Sequence, residues 1–177
     1  VKGVYAPGDV NGRKMLAHAA FKMGETAAFN AAKHAGVKSE ELSAHDFETA
    51  DMRFVPSIVY SVPEIGSVGL SDKEASAQGE ISVGKFPLIA NGRALSAGTT
   101  DGYVKVIIDK KFGEILGVHI VGPGASEIIN EAASLMAMEI TAHELAGIVH
   151  GHPTVSEALM EAAADALGKC IHLPPRK

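Results

Sequence analysis

His150-Gly151-His152-Pro153-Thr154-Val155-Ser156-Glu157 is the stretch on which the reading of this chain turns. It joins the apolar segment Leu145 to Val149 to a segment in which Val155, Leu159, Ala162 and Ala166 repeat at helical spacing. His152 stands directly before a proline, and Glu157 follows five residues later. A carboxylate beside an imidazole fixes its tautomer and stabilises its charged form, so His152 and Glu157 are a candidate proton-transfer pair. Two other readings of the same residues stand beside this one. Thr154 and Glu157 have the spacing of a helix capping box, and a carboxylate has acceptor sites enough to serve both roles. His150 and His152 form a possible pair of metal ligands, but no cysteine set and no HExxH accompanies them, and no bound metal is expected.

Working outward, apolar alternation marks strands at 54–62, 65–70, 81–86, 102–109 and 115–121. Lys110-Lys111-Phe112-Gly113 turns the fourth back on the fifth as a hairpin. Ser71 and Glu74 have capping-box spacing and open a short helix, while Asn91-Gly92-Arg93-Ala94 reads as a loop. After Gly122-Pro123-Gly124, a helix from Ala125 to about Glu139 is apolar over a broad face through Ile128, Ile129, Ala132, Ala133, Leu135 and Met136. A short helix from Ala142 to Ala146 leads into the His150 stretch. Strands followed by helices, joined by hairpins, predict an α+β domain: an antiparallel sheet of about five strands with helices on one face. Leu173-Pro174-Pro175-Arg176-Lys177 is a tail that cannot continue a helix.

Towards the N-terminus, residues 3–6 read as a strand ending in Pro7-Gly8-Asp9. Asp9 there either caps the turn or accepts from ribose or ribityl hydroxyls of a ligand. A helix from about Met15 to Lys33 carries Leu16, Ala20, Met23, Ala27 and Ala31 at helical spacing, and Gly36 is its stop. Residues 37–53 are polar, with mixed charges and at most one helical turn. The expected organisation is a strand and helix in 1–36, a linker over 37–53, and the sheet domain over 54–177. The direct entry at Val1 into a strand suggests a piece of something longer.

The chain has 177 residues, 46% of them apolar and 21% charged, enough for a globular domain with a core. A net charge of -5 without a Lys/Arg block argues against a nucleic-acid or anionic-membrane partner. No apolar run approaches the ~18 residues of a membrane span, and no secretory signal is visible. The single cysteine, Cys170, reads as an inert thiol, excludes an internal disulfide and suggests a cytoplasmic location. No GxGxxG and no CxxC is present. A histidine–glutamate pair can move a proton, but by itself it carries no electrons.

Several separate stretches nevertheless resemble one family, the flavin-dependent pyridine nucleotide-disulfide oxidoreductases. Gly8-Asp9-Val10 with Met15-Leu16-Ala17-His18 is similar to that family's second flavin-contacting motif. Val55-Pro56-Ser57, Tyr60-Ser61, Pro63-Glu64 and Val68-Gly69-Leu70 resemble the opening of its dimerisation domain. Gly122-Pro123-Gly124-Ala125 and the His150–Glu157 stretch complete the pattern. Lys85-Phe86-Pro87 with Asn91-Gly92-Arg93-Ala94 favours the branch that acts on dihydrolipoamide over the glutathione branch. The C-terminal cysteine pair of the mercuric branch is absent.

The resemblance covers nearly the whole chain and places it in the C-terminal part of such an enzyme. It implies that Asp9 binds a flavin's ribityl chain and that Met15, Leu16, Ala17 and His18 sit by the pyrimidine edge. It implies that His152, oriented by Glu157, takes a proton from a dihydrolipoyl thiol, and that the His152–Pro153 bond is cis. FAD and NAD would belong to the full-length protein, with neither expected on this chain alone. A homodimer, with His152 facing the other subunit's flavin and disulfide, and a lipoyl carrier domain are the partners implied.

Overall fold

The computed structural model describes residue 1 and residues 3–174. They fall into two compact units, Val1–Arg53 and Phe54–Lys177. The end of the expected tail, 175–177, lies outside the described residues.

In the first unit, α1 spans Ala17–His34 and buries Ala19, Met23, Thr26 and Asn30. Residues 3–6 are not a strand, contrary to the pattern: none of the described segments in this unit is a strand, so a single extended stretch has no ladder to join. Asp9 opens a single 3-10 turn, Asp9–Asn11. Residues 37–53 do more than link. A short helix, α2 (Glu40–Ala44), is capped by Ser39, and the chain then folds back on α1. Asn30 donates to the Glu48 carbonyl and accepts from the Glu48 amide, both at 2.8 Å. Lys33 donates to the Leu42 carbonyl at 2.6 Å.

The second unit is the expected α+β domain. Its strands are β1 (Ser57–Val59), β2 (Ile65–Gly69), β3 (Ile81–Pro87), β4 (Tyr103–Asp109) and β5 (Ile115–Val121). They form one antiparallel sheet in the order β1-β2-β5-β4-β3. Its main helices are α5 (Ala125–Ala137) and α7 (Glu157–Ala166); α3 (Asp72–Ser76), α4 (Gly92–Ala97) and α6 (Ala142–Leu145) are short.

Register shows why both main helices share one face. Gly84 pairs with Val106, Val106 with Val118, and Val118 with Val68, so these four project together. Phe86, Val104, Ile120 and Gly66 form the next such row. Gly84 meets α7 at Ala162, and Gly66 meets α5 at Ala125 and Ile129. The two rows and the apolar faces of α5 and α7 make one core.

Three local expectations change. The 54–62 strand shortens to Ser57–Val59: Pro56 offers no amide to a ladder, and Ser61 turns its hydroxyl onto the Pro63 carbonyl. The expected Asn91–Ala94 loop is a helix start, because the Asn91 side chain accepts from the Ala94 amide and caps α4. α7 begins at Glu157, two residues later than a cap at Thr154 implies.

Candidate functional site

α7 carries the site and is held unusually close to the sheet. The absence of a side chain at Gly84 lets the backbone at Ala162 and Ala166 lie against β3. Ser82 donates from its hydroxyl to the Ala166 carbonyl (2.7 Å), and the Lys85 amide donates to the Asp165 carboxylate (2.8 Å). Asp165, 6% exposed, is thus a charged group inside the core with a charge-assisted partner. These contacts fix the C-terminal half of α7, and with it the line of the helix that bears Glu157 at its start.

The loop before α7 is tied down by polar bonds. Asn91 donates to the Thr154 carbonyl (3.0 Å), and the Thr154 hydroxyl donates to the Gly151 carbonyl (2.7 Å). The His152–Pro153 peptide is cis. Glu157 divides its carboxylate: Oε2 accepts from the Thr154 amide at 2.8 Å, and Oε1 lies 2.9 Å from His152 Nδ1. Only half of the capping box forms, because the Thr154 hydroxyl has turned to Gly151. The two readings of Glu157 therefore coexist.

With Glu157 accepting, His152 Nδ1 carries the proton and Nε2 keeps its lone pair. The His152 side chain is 76% exposed and that of Glu157 20%. The outcome is a base aimed at solvent on a carboxylate anchored in the fold. Partial burial acts to raise the Glu157 pKa, but the Thr154 amide, the His152 ring and the His150 charge outweigh it, and the net pKa is lowered. A lowered carboxylate pKa contributes stability above the unfolded value and loses it as pH falls through the folded one. The penalty of Glu157→Gln in urea denaturation is expected to be larger near neutral pH than below pH ~4; an equal penalty at both would contradict the bonding described.

His150 and His152 do not act as a ligand pair. His150 Nδ1 faces the Ile148 carbonyl (3.0 Å) and Nε2 faces Glu131 Oε1 (2.8 Å), so neither nitrogen is open to a metal. Among the described residues no group of three or more His, Cys, Asp or Glu side chains is placed to hold an ion.

One turn beyond Glu157, the nearly buried Glu161 accepts from the Cys170 thiol (2.8 Å) and from His172 Nδ1 (2.7 Å). Burial first, then this bond to Glu161, pushes the Cys170 pKa up to about 11. A thiolate fraction of only ~10⁻³ follows near pH 8, so Cys170 should react with iodoacetamide orders of magnitude more slowly than free cysteine; labelling at the rate of free cysteine would refute this.

The remaining candidates belong to the Val1–Arg53 unit. Asp9 is exposed at its 3-10 turn, Met15 is 71% exposed, and Leu16 is the N-cap of α1. Ala17 and His18 form the exposed start of that helix. Leu16 makes no side-chain capping bond, and no acidic residue sits in the first turn of α1.

A profile of the pyridine nucleotide-disulphide oxidoreductase dimerisation domain matches residues 55–163, well over half of the chain. The chain belongs to this family. Dihydrolipoyl dehydrogenase of Halobacterium salinarum is 44% identical over 173 residues, which span 97% of this chain and 34% of that protein. The dihydrolipoyl dehydrogenase of Bacillus subtilis is 42% identical over 171 residues, again covering 34% of the relative. Among solved structures, LpdA from Mycobacterium tuberculosis superposes with a TM-score of 0.76 at 30% identity, covering 90% of this chain and 32% of that one. The chain thus spans about a third of the length of the curated relatives it matches. Relatives from Arabidopsis thaliana and Pisum sativum are named as mitochondrial. Among the described residues no helix is long and apolar enough to cross a membrane.

Sequence spacing located His152 and Glu157 but not their supports. Glu131, Asn91 and Asp165 are brought in by tertiary structure from 19, 63 and 80 residues away from their partners. Only Asn91 had a local signal, its position three residues before Ala94 at a helix start.

Proposed function

We propose that this chain is the C-terminal part of a dihydrolipoamide dehydrogenase and supplies its acid/base pair and subunit interface. The observation that carries the reading is the His152 ring: Nδ1 is committed to Glu157 and Nε2 is free and exposed. That nitrogen takes the proton from a dihydrolipoyl thiol presented by a lipoyl carrier domain. The resulting thiolate attacks a redox disulfide contributed by the remainder of the longer protein, and Glu157 stabilises the imidazolium that His152 has become.

FAD in that longer protein would pass the electron pair from the dithiol to NAD. Asp9 would accept from ribityl hydroxyls, and the residues Met15, Leu16, Ala17 and His18 would face the flavin pyrimidine. The N-terminus of α1, with no acidic residue in its first turn, suits that place, since the helix dipole favours negative charge on a reduced ring. This chain alone is expected to be inactive and to hold neither cofactor.

The protein acts as a homodimer in this reading. Ile148 and Val149, 40% and 95% exposed, flank the His152 loop, and Val62 is fully exposed; apolar groups so placed suit burial by a second subunit. The lone cysteine fits a reducing compartment, the cytoplasm or, as in the plant relatives, the mitochondrion.

The test is the full-length gene product, assayed with dihydrolipoamide and NAD, with glutathione disulfide and NADPH in parallel, and sedimented at high micromolar concentration. A dimer that reduces NAD with dihydrolipoamide is the expected result. A monomer, or activity confined to glutathione disulfide, would overturn the proposal.

A further inference from the structure

His150 is the sunken side chain of an otherwise exposed loop. Its ring is 7% exposed, whereas Val149 before it is 95% and the His152 side chain after it 76%. A histidine with no role in packing polarity would be costly there, because a buried polar ring must find partners. It finds two, and both are oxygens: the Ile148 carbonyl at Nδ1 and Glu131 Oε1 at Nε2. An acceptor at each nitrogen means that satisfying both bonds takes two protons on the ring, or one on the ring and one on Glu131.

Glu131 lies in the middle of α5, the helix that packs on β2 and β5, not on the helix that bears Glu157. The loop is therefore fastened at three separate elements: Glu131 of α5 holds residue 150, Glu157 of α7 holds residue 152, and Asn91 at the start of α4 holds residue 154. With a regular strand or helix absent between Leu145 and Glu157, these side chains replace the backbone ladder that would otherwise set its path.

We infer that Glu131 and His150 are positioning residues, a second histidine–glutamate pair that fixes the loop so that the His152 ring meets Glu157 through Nδ1 and presents Nε2. Neither touches the reacting atoms. Removing the Glu131 oxygen leaves a buried ring nitrogen unpaired, and the loop gains freedom at the residue two before the base. Misplacement by about 1 Å is enough to cost ~10²-fold in rate when a proton must move between aligned atoms.

The inference rests on the acid/base role proposed for His152, and the test separates the two. Glu131→Ala, Glu131→Gln and, as a control one turn earlier on α5, Glu127→Gln are made in the full-length protein. Two readouts are taken: steady-state turnover of dihydrolipoamide, and the ¹⁵N resonances of the His152 ring. Glu131→Ala is expected to lower kcat about 10- to 100-fold with KM within about twofold, and to replace the single His152 tautomer with a mixture. Glu131→Gln, which keeps an oxygen for His150, should restore most of both, and Glu127→Gln should change neither. If Glu131→Ala does not fold, His150→Gln, which keeps a donor towards Glu131, is expected to show a milder form of the same two changes. Unchanged His152 resonances with kcat within about twofold of wild type would overturn the inference. A wild-type protein without activity on dihydrolipoamide would instead defeat the functional reading, while the resonances still decided the positioning role.

Discussion

Replacing His152 with Gln in the full-length protein is expected to lower turnover of dihydrolipoamide by about 10²- to 10⁴-fold, the range that a positioned acid or base contributes. The amide of Gln can still donate to Glu157 Oε1, so the loop keeps its bond to α7. What it cannot do is accept a proton at the position of Nε2 and release it again. The effect should therefore fall on kcat, with KM and the urea midpoint close to wild type, because the exposed ring contributes little packing. Raising the pH should recover part of the loss, since the substrate thiol then ionises without help. Turnover within a few-fold of wild type would remove His152 from the chemistry. Loss of activity together with a collapsed midpoint would make its role structural.

The second large effect concerns the support of α7. Gly84→Ala would place a methyl group into the Ala162 carbonyl and against the Ala166 amide nitrogen. Both are helix backbone, so no rotamer change relieves the overlap, and α7 must lift from β3. Lifting breaks the Ser82–Ala166 bond and parts the Lys85 amide from the buried Asp165 carboxylate. Overpacking alone costs ~1–3 kcal/mol, so a total at or beyond ~3 kcal/mol is expected in equilibrium denaturation. Gly79→Ala is the control, since nothing lies within 4 Å of a methyl group there. An unchanged midpoint for Gly84→Ala would show that the helix does not depend on this close approach.

Much of this architecture was readable from residue patterns, for identifiable reasons. Alternation over Tyr103–Asp109 and Ile115–Val121, with a Gly-containing turn between, specifies an antiparallel hairpin whose inward set is Val104, Val106 and Ile108. The Ser71–Glu74 capping box is present as its spacing predicts. Patterns failed where a long-range partner decides the outcome. Asn91 resembles turn chemistry until its oxygen is seen to cap α4. Residues 37–53 have the composition of a linker, and only the Asn30–Glu48 and Lys33–Leu42 bonds reveal that they pack on α1.

The site divides along the same line. His152 and Glu157 are five residues apart and legible as a pair. The capping box proposed from Thr154 and Glu157 forms only in part: Glu157 accepts from the Thr154 amide, while the Thr154 hydroxyl is turned to the Gly151 carbonyl and takes no bond from the Glu157 amide. His150 gave no local sign of its partner, since Glu131 reaches it from another helix. Asp165 occupies a helical position that periodicity would assign to solvent, yet it is buried because the Lys85 amide needs an acceptor there.

The measurement that addresses the proposed chemistry most directly is ¹⁵N NMR of the His152 ring in the wild-type protein at alkaline pH. A protonated Nδ1 and a lone-pair Nε2, with a cross-peak that collapses in Glu157→Gln, is the predicted spectrum. Protonation at Nε2, or a ring indifferent to Glu157→Gln, would contradict a base that is held by that carboxylate and open to a thiol.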